Sequence, residues 1–191
     1  MITTTHVILN ATLLGRKNDP KRNWPIILGG MLPDIPMLAY FSLIFFTQGH
    51  LSGANLEHFD EFHLRTSWVD WAHSFPLAVI GILLGLLIKR KAVAFFFASM
   101  ALHSLEDLPF HGQYAHRHFL PFSSWRFFSP ITFTDPQAHA AIMAPIEWLL
   151  VCVCVAILWR RGLAQWVQVL LLSICVVQAV WVFYFYWRIY W

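Results

Sequence analysis

The stretch A-L-H-S-L-E-D-L-P-F-H-G-Q-Y-A-H-R-H, residues 101–118, places four histidines and two acids directly after the apolar run K-A-V-A-F-F-F-A-S-M, residues 91–100. Read as one helix, the run carries His103 and Asp107 on a single face, because residues four apart are neighbours on a helix surface. Ionisable groups inside such a segment decide what kind of molecule this is. The chain has 191 residues, 58% hydrophobic and 12% charged, whereas soluble domains carry about a quarter charged residues. These values predict an all-α, polytopic integral membrane bundle of about five or six helices, folded as a single domain over residues 1–191. The bilayer is its first partner.

Cys152, Cys154 and Cys175 all fall in apolar segments, which predicts packed thiols and no disulfide framework or thiolate metal site. The net charge is +3, but the cations gather in short loops. Four Lys or Arg lie at 16–22, three at 89–91 and two at 160–161, nine of the thirteen in the chain. That pattern is one of membrane orientation, with these loops cytoplasmic, and it excludes a nucleic-acid surface. The first residues, M-I-T-T-T-H-V-I-L-N, have no basic segment ahead of their apolar run and no small-residue cleavage site, so this segment is expected to be retained.

Helices are expected over residues 4–14, 71–88, 92–108, 139–159 and 163–187, with a further apolar segment at 24–46. The last of these contains Gly29, Gly30, Pro33 and Pro36, and should be broken. The aromatic end V-W-V-F-Y-F-Y-W-R-I-Y-W reads as an interfacial anchor.

The basic loops serve as rulers, since a helix rises about 1.5 Å per residue. Counted from the nearest basic residue, His6 lies at about 15 Å, Asp34 and His103 at about 18 Å, Glu147 at about 20 Å, and His73 and Asp107 at about 24 Å. Six ionisable groups therefore share one layer, between the midplane and the non-cytoplasmic edge of a core about 30 Å thick. Such groups are costly in lipid and pair with one another, face water or hold an ion. Imidazole with carboxylate suits zinc, manganese or iron, and an open position on such an ion activates water. His6, Asp34, His73, His103 and Asp107 are the candidate ligands. Glu147 is a candidate either as a catalytic carboxyl group or as a neutral acid bonded to a neighbouring helix.

The early His6 in T-T-H-V-I-L-N, the segment G-G-M-L-P-D-I-P, His73-Ser74 and H-S-L-E-D at 103–107 together resemble the bacterial membrane-bound metal-dependent hydrolases of the inner membrane. The resemblance runs from His6 to Pro130. That family is similar in its metal pattern to the all-helical zinc-dependent phospholipase C and nuclease group, whose site holds three metals. The resemblance implies Asp34, His73, His103 and Asp107 around one metal, most simply zinc, with Asp107 bridging to a second ion on His6. The segment H-L-R-T-S-W-V-D-W-A-H-S, residues 63–74, is the nearest equivalent of the family's H-R and T-H-S motifs. His63 is thereby implied as a ligand or phosphate-orienting group. The group's H-x-x-x-E pair has no counterpart, because His139 is followed four residues on by Met143.

The resulting expectation is a hydrolase cleaving a phosphoester of a lipid or lipid-like substrate with metal-activated water. Asp107 would hold or bridge the ions, and Arg65 or Arg117 would stabilise developing negative charge. The competing expectation is a non-enzymatic metal-binding, ion-handling or transport protein, with an internal repeat of broken helices as its mark. A third is a structural protein with satisfied core histidines. The absence from the sequence of a Gly-rich phosphate loop, a G-x-S-x-G elbow and a C-x-x-C pair disfavours nucleotide hydrolysis, serine-hydrolase chemistry and thiol redox work.

Overall fold

The computed structural model describes residues 1–49, 68–112, 115–132 and 138–190, and its regular structure is helical throughout. Helix α1 spans Thr3–Leu14, α2 Pro20–Met31 and α3 Ile35–Gln48, with a 3-10 turn, Leu32–Asp34, between the last two. Helix α4 is the short Trp68–Ala72, α5 is Phe75–Leu87, α6 Lys91–Asp107, α7 Ala140–Arg160 and α8 Gln165–Tyr190.

Local chemistry sets these boundaries. Asp19 caps α2 by accepting the Arg22 N–H at 3.2 Å, with Pro20 in the first turn, where a missing N–H costs nothing. The break expected within 24–46 falls at Leu32-Pro33-Asp34, where the ring of Pro33 favours a tighter turn. The single helix expected over 71–88 is instead two. Ser74 accepts the Leu77 N–H and opens α5 with Pro76 in its first turn, so α4 ends and His73 stands at the joint.

Helix α6 is the central element. Ser99 donates to the Ile26 carbonyl at 2.6 Å and His103 Nδ1 lies 2.8 Å from the Gly30 carbonyl, so α2 and α6 run parallel. Asn10 donates to Ser99 while His6 meets Glu106, so α1 runs antiparallel to α6. A Cβ on Gly29 would lie 2.1 Å from the Phe96 carbonyl oxygen. The missing side chain is what allows the α2 and α6 backbones to approach, as small residues do between helices in membranes. On the other side of α1, Ile8, Val151, Cys154, Val155, Leu158 and Leu171 form an apolar layer with α7 and α8. The three cysteines are free thiols on α7 and α8, Cys154 buried and Cys152 and Cys175 partly so.

Three segments are long and apolar enough to cross a membrane: Pro20–Gln48, Ala140–Arg160 and Gln165–Tyr184, with Phe75–Leu87 a shorter apolar helix. Their outward faces carry large exposed apolar side chains, Leu87 at 79% and Phe46 at 83% among them. Such a surface is stable against lipid and not against water.

The three basic loops lie at one end of the molecule. Arg161 donates to the Thr12 carbonyl at 2.6 Å and Arg22 to that of Leu14 at 2.6 Å, so two cations cap the carboxyl end of α1. Because α6 runs parallel to α2, its start beside loop 89–91 is at that same end. Asp107, sixteen residues further along α6, lies about 24 Å away.

Candidate metal centre

At the far end of α6, four elements bring buried donors together. His103 and Asp107 occupy the last turn of α6, Asp34 closes the 3-10 turn, and His73 stands at the α4–α5 joint. One ligand atom from each of Asp34, His73, His103 and Asp107 lies within 4.8 Å of all the others, and all four residues are buried. This group could hold a metal ion.

The orientation of the rings is fixed by their other nitrogen. A carbonyl oxygen only accepts, so His103 Nδ1 donates its proton to Gly30, and His73 Nδ1 donates to Val69 at 3.0 Å. In a neutral ring each Nε2 then carries a lone pair, free to face a cation. His103 Nε2 lies 3.1 Å from Asp107 Oδ2 and 3.6 Å from Asp34 Oδ1, and His73 Nε2 lies 3.7 Å from Asp107 Oδ2. His6 repeats the pattern: its Nδ1 meets Glu106 Oε2 at 2.6 Å and its Nε2 lies 3.0 Å from Asp107 Oδ1. The Nε2 atoms of His6, His73 and His103 are all buried without a hydrogen-bond partner. A neutral Nε2 aimed at a carboxylate oxygen repels it unless a metal ion or a proton lies between them. A carbonyl or carboxylate that orients the ring through Nδ1 is the usual supporting partner of a metal-ligating histidine.

Asp107 faces two sets of groups. Its Oδ2 is turned to His103 and His73, while its Oδ1 meets His6, His111 Nε2 at 3.2 Å and the Met1 amino group at 2.8 Å. Ligand atoms of Asp107, His111 and His116 also lie within 4.8 Å of one another. Asp34 uses its second oxygen to accept the Thr3 hydroxyl at 2.7 Å.

Five of the six groups expected in one layer thus converge. The sixth, Glu147, is buried but accepts the Ile2 N–H at 2.7 Å, at the start of α1. His63 and Arg65 lie outside the described residues.

Beyond the expected groups, the structure draws in Glu106, His111, His116 and Asp70. Glu106 was hidden by its neighbour Asp107; one position earlier, it points about 100° away around the helix and meets His6 on α1. Asp70 was legible as an acid three positions before His73. His116 stacks on His73 with ring centroids 3.6 Å apart and planes 6° from parallel, and its Nδ1 lies 3.4 Å from Asp70 Oδ1. His118 Nδ1 donates to the His73 carbonyl at 3.1 Å, and burial pulls its imidazole below the usual pKa.

Comparison with protein-family models, with curated proteins and with solved structures gave no match.

Proposed function

We propose that this chain is a membrane-embedded, metal-dependent hydrolase that cleaves a phosphoester of a lipid or lipid-like substrate. The observation that carries the reading is the set of three buried Nε2 atoms, on His6, His73 and His103, unpartnered around one carboxylate. An unsatisfied buried polar atom costs about 1–3 kcal/mol. Three of them turned to Asp107 are stable together when a cation is the shared partner. Zinc is the ion we assign, with manganese and iron compatible with the same imidazole and carboxylate donors. When bound there, such an ion would polarise a phosphoryl oxygen and bring the pKa of water toward neutrality.

The chain's own residues would hold and orient. Gly30, Val69 and Glu106 fix the rings, and Asp107 offers one oxygen to each side. Arg65 and Glu147 are further catalytic candidates, for charge stabilisation and as a buried carboxyl group. Lipid-facing helices beside the centre support a substrate that arrives through the bilayer. In this reading the chain is a polytopic bundle of five or six helices in a bacterial inner membrane. The clustering of basic loops at one end supports placing that end in the cytoplasm and the centre in the opposite half.

The test is metal content by mass spectrometry on detergent-purified protein, native against folded Asp107→Ala and His103→Ala. Stoichiometric metal in the native chain, lost in both variants, is expected, together with release of a phosphorylated headgroup from lipid that chelation stops. A folded native protein that takes up no stoichiometric zinc, manganese or iron would end the hydrolase reading.

One observation favours a second reading, a non-enzymatic ion-binding or transport protein. Two interrupted segments, at Leu32–Asp34 and at His73-Ser74, meet at the cluster, and broken helices of this kind form the ion sites of transporters. Bound metal with ion flux in liposomes, and no hydrolysis across lipid phosphoesters, would select it.

A further inference from the structure

Beside the metal centre lies a second cluster of ionisable groups. Asp70, on α4, is fully buried, and its Oδ2 accepts from Arg117 Nε and from Arg126 Nη2, the latter at 3.2 Å. Its Oδ1 accepts the Arg117 N–H at 3.3 Å and lies 3.4 Å from His116 Nδ1. Arg126 is also held by the Ala115 carbonyl through Nη1. One carboxylate thus holds two guanidiniums, and these three side chains keep one positive charge in excess.

The two arginines are restrained yet reachable. Their side chains are 19% and 13% exposed, against 0% for Asp70. Asp70 engages Arg117 through Nε, which leaves both terminal amino groups of its fork without an acceptor among the described residues. A planar, pre-oriented fork with free donors is the group best matched to the oxygens of a phosphate. Asp70 balances the charge of one arginine only. The second supplies the excess charge.

Location gives the cluster a role. His116, adjacent to Arg117 in the chain, stacks on the candidate ligand His73 at 3.6 Å. Around the arginines the chain presents exposed aromatics, Phe119, Phe122, Trp125 and Phe128. Arginine interleaved with exposed aromatics is the composition of a segment seated at the headgroup level of a bilayer.

The geometry points to Arg117 and Arg126, cross-braced by Asp70, as the site that receives a phosphate group of the substrate beside the metal centre. The inference rests on the hydrolase reading and deepens it, by making the substrate an amphiphile with a phosphate exposed at the membrane surface. Arg117 and Arg126 are binding residues here, and Asp70 is a positioning residue.

The test is equilibrium binding to the full-length chain in phosphatidylcholine nanodiscs, with inorganic phosphate and phosphatidic acid as separate probes. Each is measured for the native chain, Arg117→Gln, Arg126→Gln and Arg126→Lys, with metal content determined on the same samples. Each Gln variant is expected to weaken phosphatidic acid binding by about tenfold or more, and Arg126→Lys to restore little of it, because lysine keeps the charge and loses the fork. Arg126→Lys keeps the proposal testable if a Gln variant fails to fold. Inorganic phosphate binding with the same dependence identifies free phosphate as an alternative source of the ligand. Phosphatidic acid binding alone identifies the lipid. Binding of both probes by folded variants at native strength would overturn the proposal. Metal-free protein whose phosphatidic acid binding still depends on the arginines would uphold this site and remove the hydrolase reading on which its catalytic meaning rests.

Discussion

His6, His73 and His103 share one device. In each, Nδ1 is tied to a fixed acceptor and Nε2 is turned to Asp107. For His73 and His103 the acceptor is a backbone carbonyl that no substitution can delete, but for His6 it is the carboxylate of Glu106. Supporting carboxylates of this kind are worth about 10–100-fold in metal affinity. Glu106→Gln keeps an acceptor and loses the charge, so we expect metal affinity to fall within that range with the fold intact. Competition titration against a chelator, beside a thermal melt, measures both. Unchanged affinity would show that His6 serves packing alone. The sequence exposed His103 and Asp107 through their spacing inside an apolar helix, while Glu106 stayed hidden, since its partner lies a hundred residues away in the chain.

At the scale of the element, the centre depends on how closely α2 approaches α6. The Gly30 carbonyl reaches His103 only because Gly29 lets the backbone come up against Phe96. A methyl group at position 29 would overlap the Phe96 carbonyl, a backbone atom with no rotamer to yield. Gly29→Ala should therefore push the helices apart and destabilise the protein by about 1–3 kcal/mol. Metal content should fall with it, because His103 loses the acceptor that orients its ring. A melt in detergent with metal analysis checks this, and a variant as stable and as metal-loaded as the native chain contradicts the packing account. The glycines and prolines of 24–46 announced a broken segment, and the break is there. The break at His73-Ser74 was missed, because the apolar run around it reads as continuous. Its signal was Ser74 followed by Pro76, the start of a helix written inside another.

For the whole molecule, the arrangement has two ends. Helices α1, α2, α6 and α7 place the basic loops together at one end, and Asp34, His73, His103 and Asp107 meet at the other. Membrane-impermeant thiol labelling of intact cells tests this axis, with single cysteines introduced at Lys17, Lys89 and Ser124 in a chain whose Cys152, Cys154 and Cys175 are replaced by alanine. Lys17→Cys and Lys89→Cys are expected to label from the same side and Ser124→Cys from the opposite side. Labelling of positions 17 and 89 from different sides would overturn the two-ended arrangement.

The sequence alone determined the helical class, the positions of most helices and the layer in which the costly ionisable groups lie. It could do so because hydropathy, loop charge and helical rise are local quantities that add along the chain. It also named Asp34, His73, His103 and Asp107, since a carboxylate or imidazole inside an apolar segment is conspicuous without any partner. Which of these groups face one another, through which nitrogen, and with what behind them was decided only by tertiary structure. The Gly30 carbonyl, Glu106 and the Asp70–Arg117–Arg126 brace are ordinary residues in sequence. They acquire their roles through contacts across 47 to 100 positions of the chain, where no local periodicity reaches.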